Sequence, residues 1–244
     1  MTMRVEICID APNATAVTRR VSAAYRGGAD TVELCHDMAA QGLTPAAGCI
    51  AAARLAFGAR PGLMVMIRPR GGDFAYTRHE LAQMQEQIAQ AAQAGADGVV
   101  FGAVRNGVLD ESAMARLVQT AQAHGLLVTC HRAFDATHEP LATLEILQQL
   151  GVQRVLTSGT PWGTAGTVLD GLTVLTQLIA QAGPQMELVL GGGVQRSLVP
   201  LLAQRLPLSG GRVALHCYSG VLVNGETDET AVAQLVTAVT QARP

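Results

Sequence analysis

The sequence predicts an α/β fold, a single-domain (β/α)8 or TIM barrel spanning residues 1–244. Short β-like runs alternate with helical patterns along the whole chain, and their starts recur at about 30 residues, the length of one βα unit. Eight such units in a chain of 244 residues match this barrel class. No GxGxxG follows the first strand, as an open dinucleotide-binding sheet would require.

The strands fall at Val5–Ile9, Thr31–Cys35, Leu63–Arg68, Gly98–Ala103, Leu126–His131, Arg154–Thr157, Glu187–Leu190 and Val213–Cys217. Helical stripes fill the gaps. Leu81, Met84, Ile88 and Ala91 share one face, and Leu141, Leu144, Leu147 and Leu150 another. Residues 113–123, 172–182, 198–206 and 230–242 look similar. Glycine stands just before a strand in Gly27-Gly-Ala-Asp30, Ala94-Gly-Ala-Asp97, His124-Gly-Leu126 and Leu150-Gly-Val152, where it ends the preceding helix. No Pro-, Gly- or Ser-rich linker divides the chain.

Composition excludes several classes of function. The chain is 49% hydrophobic and 15% charged, with a net charge of −2 and 3% aromatic residues. A basic stripe or stacking platform for nucleic acid is absent. No apolar run reaches transmembrane length, and the N-terminus lacks a signal-peptide pattern. Five scattered cysteines without a CxxC fit a reducing cytoplasm better than a disulfide framework.

Side-chain alternation along each strand assigns faces. Bulky aliphatics mark the helix-facing side, which leaves Glu6 and Cys8 of the first strand inside the barrel. Thr31, Glu33 and Cys35 of the second follow, then Met64, Met66 and Arg68 of the third. Leu127, Thr129 and His131 of the fifth strand and Ala214 and His216 of the eighth also point inward. Glu6 and Glu33 are thereby expected at matching heights on adjacent strands, with Cys8 and Cys35 one step nearer the mouth. Two buried carboxylates need counter-ions, and Arg68, Arg70 and His131 are the expected ones. Cys49, Cys130 and Cys217 read as small hydrophobes beneath helices.

Such barrels keep their chemistry at the C-terminal mouth. Two readings of the mouth stand side by side. Cys8 and Cys35 are soft thiolates suited to Cu(I), with His131 or His216 as a third ligand. Alternatively, Glu33 or His131 serves as an acid–base, and Arg68, Arg70 and Arg132 hold a small anionic substrate for a lyase, isomerase or hydrolase. In Arg68-Pro-Arg-Gly-Gly-Asp73, Arg70 and Asp73 lie beyond the strand end and are expected to reach that ligand. His131-Arg-Ala-Phe-Asp135 adds an imidazole, a guanidinium and a carboxylate, with Asp135 also readable as a helix cap. Ser158 and Gly192, in glycine loops after strands six and seven, complete the ring as backbone anion holders.

Together these stretches resemble the CutC family. The resemblance rests on Val32-Glu-Leu-Cys35 with Gly42-Leu-Thr-Pro45, on Ile67-Arg-Pro-Arg-Gly-Gly-Asp-Phe74, on His131-Arg-Ala-Phe-Asp135, and on Arg154-Val-Leu-Thr-Ser-Gly159. It implies a (β/α)8 fold, a cytoplasmic location and a role in copper homeostasis, with Cu(I) as ligand. A homo-oligomer stays open as a partner. The sequence departs from the family after His216, where Cys217, Tyr218 and Ser219 precede a short segment, Gly220 to Asp228.

Overall fold

A computed structural model describes residues 3–242. Eight strands form one closed parallel barrel: β1 (Arg4–Asp10), β2 (Thr31–Cys35), β3 (Leu63–Met66), β4 (Gly98–Phe101), β5 (Leu127–Cys130), β6 (Arg154–Thr157), β7 (Glu187–Leu190) and β8 (Arg212–Cys217). They pair in chain order, and β8 closes on β1. The helices between them are α1 (Ala14–Arg26), α2 (Ala47–Phe57), α3 (Arg78–Gln93), α4 (Glu111–Ala123), α5 (Pro140–Gln149), α6 (Leu172–Ala182), α7 (Val199–Arg205) and α8 (Glu229–Gln241). The expected architecture is therefore the observed one. Two small hairpins, Val104–Arg105 with Val108–Leu109 and Leu222–Val223 with Glu226–Thr227, decorate the loops after β4 and β8. The strand pattern did not reveal these hairpins, because each arm is only two residues long.

The Gly-Ala-Asp echo has a mechanical cause. Gly28, Gly95 and Gly151 take positive φ and end α1, α3 and α5. The residue two places on then latches the preceding strand. Asp30 Oδ2 accepts from the Val5 N–H at 2.8 Å, and Asp97 Oδ2 from the Leu63 N–H at 2.8 Å. Gln153 Oε1 accepts from the Val128 N–H at 2.7 Å in the same way. These latches lie at the N-terminal ends of the strands, the end associated with stability rather than chemistry.

The outer faces of the strands and the inner faces of the helices share one large apolar core, including Val5, Ile7, Ile9, Val32, Leu34, Val65, Ile67 and Val99. Alternation assigned those of β1, β2 and β3 correctly. The barrel interior differs. It holds two small apolar groups, one of Leu156, Val189 and Ala214 and one of Cys8, Cys35, Met64, Met66 and Val100. It also holds a buried ionic network. Arg154 donates to Glu187 Oε2 and to Glu6 Oε2, both at 2.7 Å. Thr31 Oγ1 donates to the same Glu6 oxygen at 2.8 Å. The three charged side chains are at most 5% exposed.

Two expectations change here. Glu6 aligns with Thr31, and Glu33 with Cys8, so the two carboxylates sit two residues out of step rather than at one height. Closing a barrel tilts and staggers its strands, and a face assignment made strand by strand carries no information on that stagger. The counter-ions also differ. Arg154 and His216 face Glu6, while Arg68, Arg70 and His131 bind elsewhere. Alternation applied to β6 and β7 would have found this network, since outward Val155 and Leu188 leave Arg154 and Glu187 inside.

Removing one member of a buried ion network strands the others. Arg154→Met should lower stability by about 3–5 kcal/mol, read from the urea unfolding midpoint. The triple change with Glu6→Gln and Glu187→Gln should recover part of that loss, because the two carboxylates that Arg154 bridged are then neutral as well.

Candidate functional site

The C-terminal ends of the strands surround a cavity of about 270 Å³. One wall is sulfur and carboxyl. Cys8 Sγ lies 4.0 Å from Cys35 Sγ and 3.9 Å from Met38 Sδ. Cys35 Sγ is 3.5 Å from Glu33 Oε2. His216 closes this wall, its Nδ1 donating to Glu6 Oε1 at 3.1 Å and its Nε2 lying 3.5 Å from Glu33 Oε2. The barrel stagger that separates Glu6 from Glu33 thus leaves a slot that one imidazole spans.

The charges on this wall are set by burial and by each other. Burial pushes the Glu33 carboxyl up to about 8, against the pull of His216. The hydrogen bond with Cys35 and the charge of His216, working against burial, bring the Cys8 thiol down to about 6. Cys35 moves well above the usual thiol range, through its bond to Cys8 and through burial. Burial disfavours the His216 imidazolium, but Glu33, Cys8 and Glu6 together outweigh it and hold the ring protonated. Cys8 and His216 thus favour each other's charged forms, while burial opposes charge on Cys35 and Glu33.

Met38 reaches the wall through a tight loop. Asp37 and Gln41 adopt left-handed backbone, and His36 and Leu43 pair across the loop base with their N–H and C=O groups. Gly42 has φ +85°, and a Cβ there would sit 3.3 Å from Cys35 Sγ, so glycine serves both the turn and the thiol. Met38 carried no signal in the sequence, because its position depends on this loop and not on strand alternation.

Arg68 is the clamp of that loop. Its Nη1 donates to the carbonyls of Ala40, Gln41 and Gly42 at 2.9, 3.2 and 3.3 Å, and its Nη2 to Gly72 O at 2.9 Å. The residue is 1% exposed and lines the cavity. β3 ends at Met66, two residues short of the expected end, because Thr44 Oγ1 takes the Arg68 N–H at 2.8 Å. Arg70 and Asp73 turn away from the cavity. Arg70 Nε binds Glu80 at 2.5 Å, its Nη2 lies 3.0 Å from Asp73 Oδ1, and its guanidinium rests on the Tyr76 ring. Gly72, at φ +83°, supplies the left-handed backbone of this turn.

The opposite wall is aromatic and basic. Phe74 is central, with the Arg68 guanidinium 5.1 Å from its ring centre, His131 at 5.0 Å and Trp162 at 5.1 Å. Arg132 rests on Trp162 and pairs with Asp135. The His131 Nδ1 accepts the Ala133 N–H at 3.1 Å, so Nε2 carries the ring proton. Burial and the charge of Arg68 depress this imidazole to about 3. Gly102 makes the ring's place, since a Cβ there would meet His131 Nδ1 at 2.9 Å. Asp135 lies behind the wall, accepting from Thr157, Arg132 and the Ser158 N–H. Burial raises its carboxyl despite these donors. Ser158 is also behind the wall, bonded to Thr160 at 2.7 Å, while Gly192 lines the cavity.

Of the residues picked from the sequence, the cavity gathers Cys8, Glu33, Cys35, Arg68, His131, Arg132, Gly192 and His216. Asp135 and Ser158 support it from outside, and Arg70 and Asp73 lie on the loop surface. Sequence reasoning missed Met38, Phe74 and Trp162 as wall residues. His36, His79, His124 and His138 are exposed, as expected of solvated histidines. After β8, Tyr218 packs against the sulfur cluster, and Arg20 ties Glu226 of the last hairpin to Asp10 of β1.

A closed parallel barrel with a sulfur-rich, ionic mouth at the strand C-termini defines the class: a TIM-barrel protein whose site lies at the usual end. The chain belongs to the CutC family, whose model matches residues 3–216. It is similar to the copper homeostasis protein cutC homolog of Homo sapiens, with 39% identity over 215 residues, 87% of this chain and 72% of that protein. A family protein CutC of Pasteurella multocida is 37% identical over 235 residues, 93% of this chain and 91% of that one. Among solved structures, a candidate copper homeostasis protein CutC from Streptococcus agalactiae superposes with TM-score 0.75 at 28% identity, covering 88% of this chain and 98% of that one. A 3-keto-L-gulonate-6-phosphate decarboxylase from Vibrio cholerae shares the fold, with TM-score 0.64 at 15% identity over 100% of both chains.

The buried neutral His131 gives a pH prediction. Its folded pKa lies below the unfolded value, so its contribution is complete above about pH 6.5 and is lost as pH falls toward about 3. Between pH 7 and pH 5 the wild type should lose about 2 kcal/mol more than His131→Gln, measured as urea midpoints at the two pH values.

Proposed function

We propose that this member of the CutC family acts in copper homeostasis by holding one Cu(I) ion at the sulfur wall. The carrying observation is that Cys35 Sγ and Met38 Sδ both lie within 4.0 Å of Cys8 Sγ. Two thiols and a thioether form a soft donor set, which favours Cu(I) over the harder oxygen-seeking ions. Cys8, Glu33 and Cys35 also bring one ligand atom each within 4.8 Å of one another. Small shifts of side chains would bring the sulfurs to one ion, and the apolar neighbours Met64, Met66 and Val100 keep water from competing. Glu33, which accepts from Cys35 Sγ at 3.5 Å, would donate to a thiolate there when protonated, without adding charge.

All five cysteines are free and buried, which suits a reducing cytoplasm, where thiols stay available to Cu(I). Among the described residues no helix is long and apolar enough to cross a membrane.

Titration of the reduced protein with Cu(I) against a competing chelator tests this reading. The Cys8→Ser/Cys35→Ser pair should abolish high-affinity binding. Met38→Leu should weaken it roughly tenfold, about 1.4 kcal/mol, with the circular dichroism spectrum unchanged. Equal affinity in all three proteins would refute the assignment.

A further inference from the structure

The aromatic and basic wall has no part in holding a metal, and a single ion occupies little of a cavity of about 270 Å³. We propose that this wall binds a small organic carboxylate, with its anionic oxygens on His131 Nε2–H and Arg132 and its carbon skeleton against Phe74 and Trp162. The site is built for a ligand in three respects, none of which depends on copper.

First, His131 Nε2 is a buried donor without a partner among the described residues, and His131 is 3% exposed and lines the cavity. The Ala133 N–H fixes the tautomer from the other edge of the ring, so Nε2 is a donor and not an acceptor. A buried N–H left without an acceptor is destabilising, and an oxygen on a ligand would relieve that.

Second, the wall carries uncompensated positive charge. Asp135 neutralises one edge of the Arg132 guanidinium through Nε, leaving its terminal nitrogens toward the Gly192 loop, where a Cβ on Gly192 would lie 3.9 Å from Nη1. Arg68 spends its terminal nitrogens on four carbonyls, and none of its hydrogen bonds goes to a carboxylate. Among the described residues the only cavity-lining carboxyl, Glu33, lies on the opposite wall. A cation gains nothing from this half of the cavity, whereas an anion does.

Third, the donor count suits a carboxylate better than a phosphate. The wall offers a planar guanidinium edge and one neutral imidazole N–H, enough for two oxygens of a monoanion. A dianion with three oxygens would be left short of donors in a buried site. Phe74 and Trp162, packed at 5.1 Å, give an apolar surface for a short carbon chain.

The test uses the full-length, reduced, copper-free protein and follows its melting temperature with acetate, pyruvate and malonate. Inorganic phosphate and acetamide serve as comparison probes, and calorimetric titration confirms stoichiometry. At a hundredfold excess over Kd, a carboxylate should raise the melting temperature by about 5–10 °C. Acetamide and phosphate should give little. His131→Phe and Arg132→Gln should each cut carboxylate affinity at least roughly tenfold. Leu156→Phe, which narrows the cavity and removes no donor, should do the same, and this guards against a general loss of folding in the other two. The Cu(I) affinity of Arg132→Gln, measured in the competition assay, should match wild type, so that failure of the carboxylate site and failure of the copper site are told apart. The proposal is overturned if no carboxylate shifts the wild type, if acetamide or phosphate shifts it as much, or if the three variants respond as the wild type does.

Discussion

The structure depends on one buried arginine. Arg154 bridges Glu6 and Glu187 across the barrel interior, with both bonds at 2.7 Å and all three side chains nearly removed from solvent. Most barrels of this class fill that space with branched aliphatics. Here a fixed carboxylate is carried to the layer beneath the mouth, and its charge is held by Arg154. Glu6 stays ionised, because Arg154 and His216 overcome the burial penalty. Glu6 joins Glu33 and Cys8 in favouring the His216 imidazolium, and His216 in turn helps lower Cys8. The stability network and the sulfur wall are thus one electrostatic chain read at two heights.

The mouth divides into unlike halves for a related reason. On the β1, β2 and β8 side, thiols, a carboxyl and an imidazolium share charge at short range. On the side of the loops after β3, β5 and β6, aromatic rings space the basic groups apart. Arg68 connects the two. It lies against Phe74 on one wall, and by clamping the Ala40–Gly42 carbonyls it positions the turn that delivers Met38 to the other. Soft donors and anion-favouring groups thus line different sides of one cavity, with the apolar Met66 and Leu156 also in its lining.

What local chemistry dictates, the sequence already determined. Strand alternation placed Glu6, Cys8, Glu33, Cys35, His131 and His216 inside the barrel, because the β pleat has a strict period of two. The glycines before strands marked the helix ends, and their Gly-Ala-Asp repeats proved to be latches on neighbouring strands. The spacing of βα units and the absence of a dinucleotide motif were sufficient for the fold class.

Relations between strands, and the paths of loops, were decided only by the tertiary structure. Stagger set Glu6 beside Thr31 and Cys8 beside Glu33, a shift invisible to any single strand. The partner of Glu6 came from β6, 148 residues away in the chain, and no local pattern links such distant residues. Loop closure brought Met38 in and turned Arg70 and Asp73 out, through carbonyl–guanidinium bonds that depend on backbone direction and not on residue type. The sequence by itself determined which residues face the barrel interior. Only the fold decided which of them meet, because meeting depends on the closure of the whole ring.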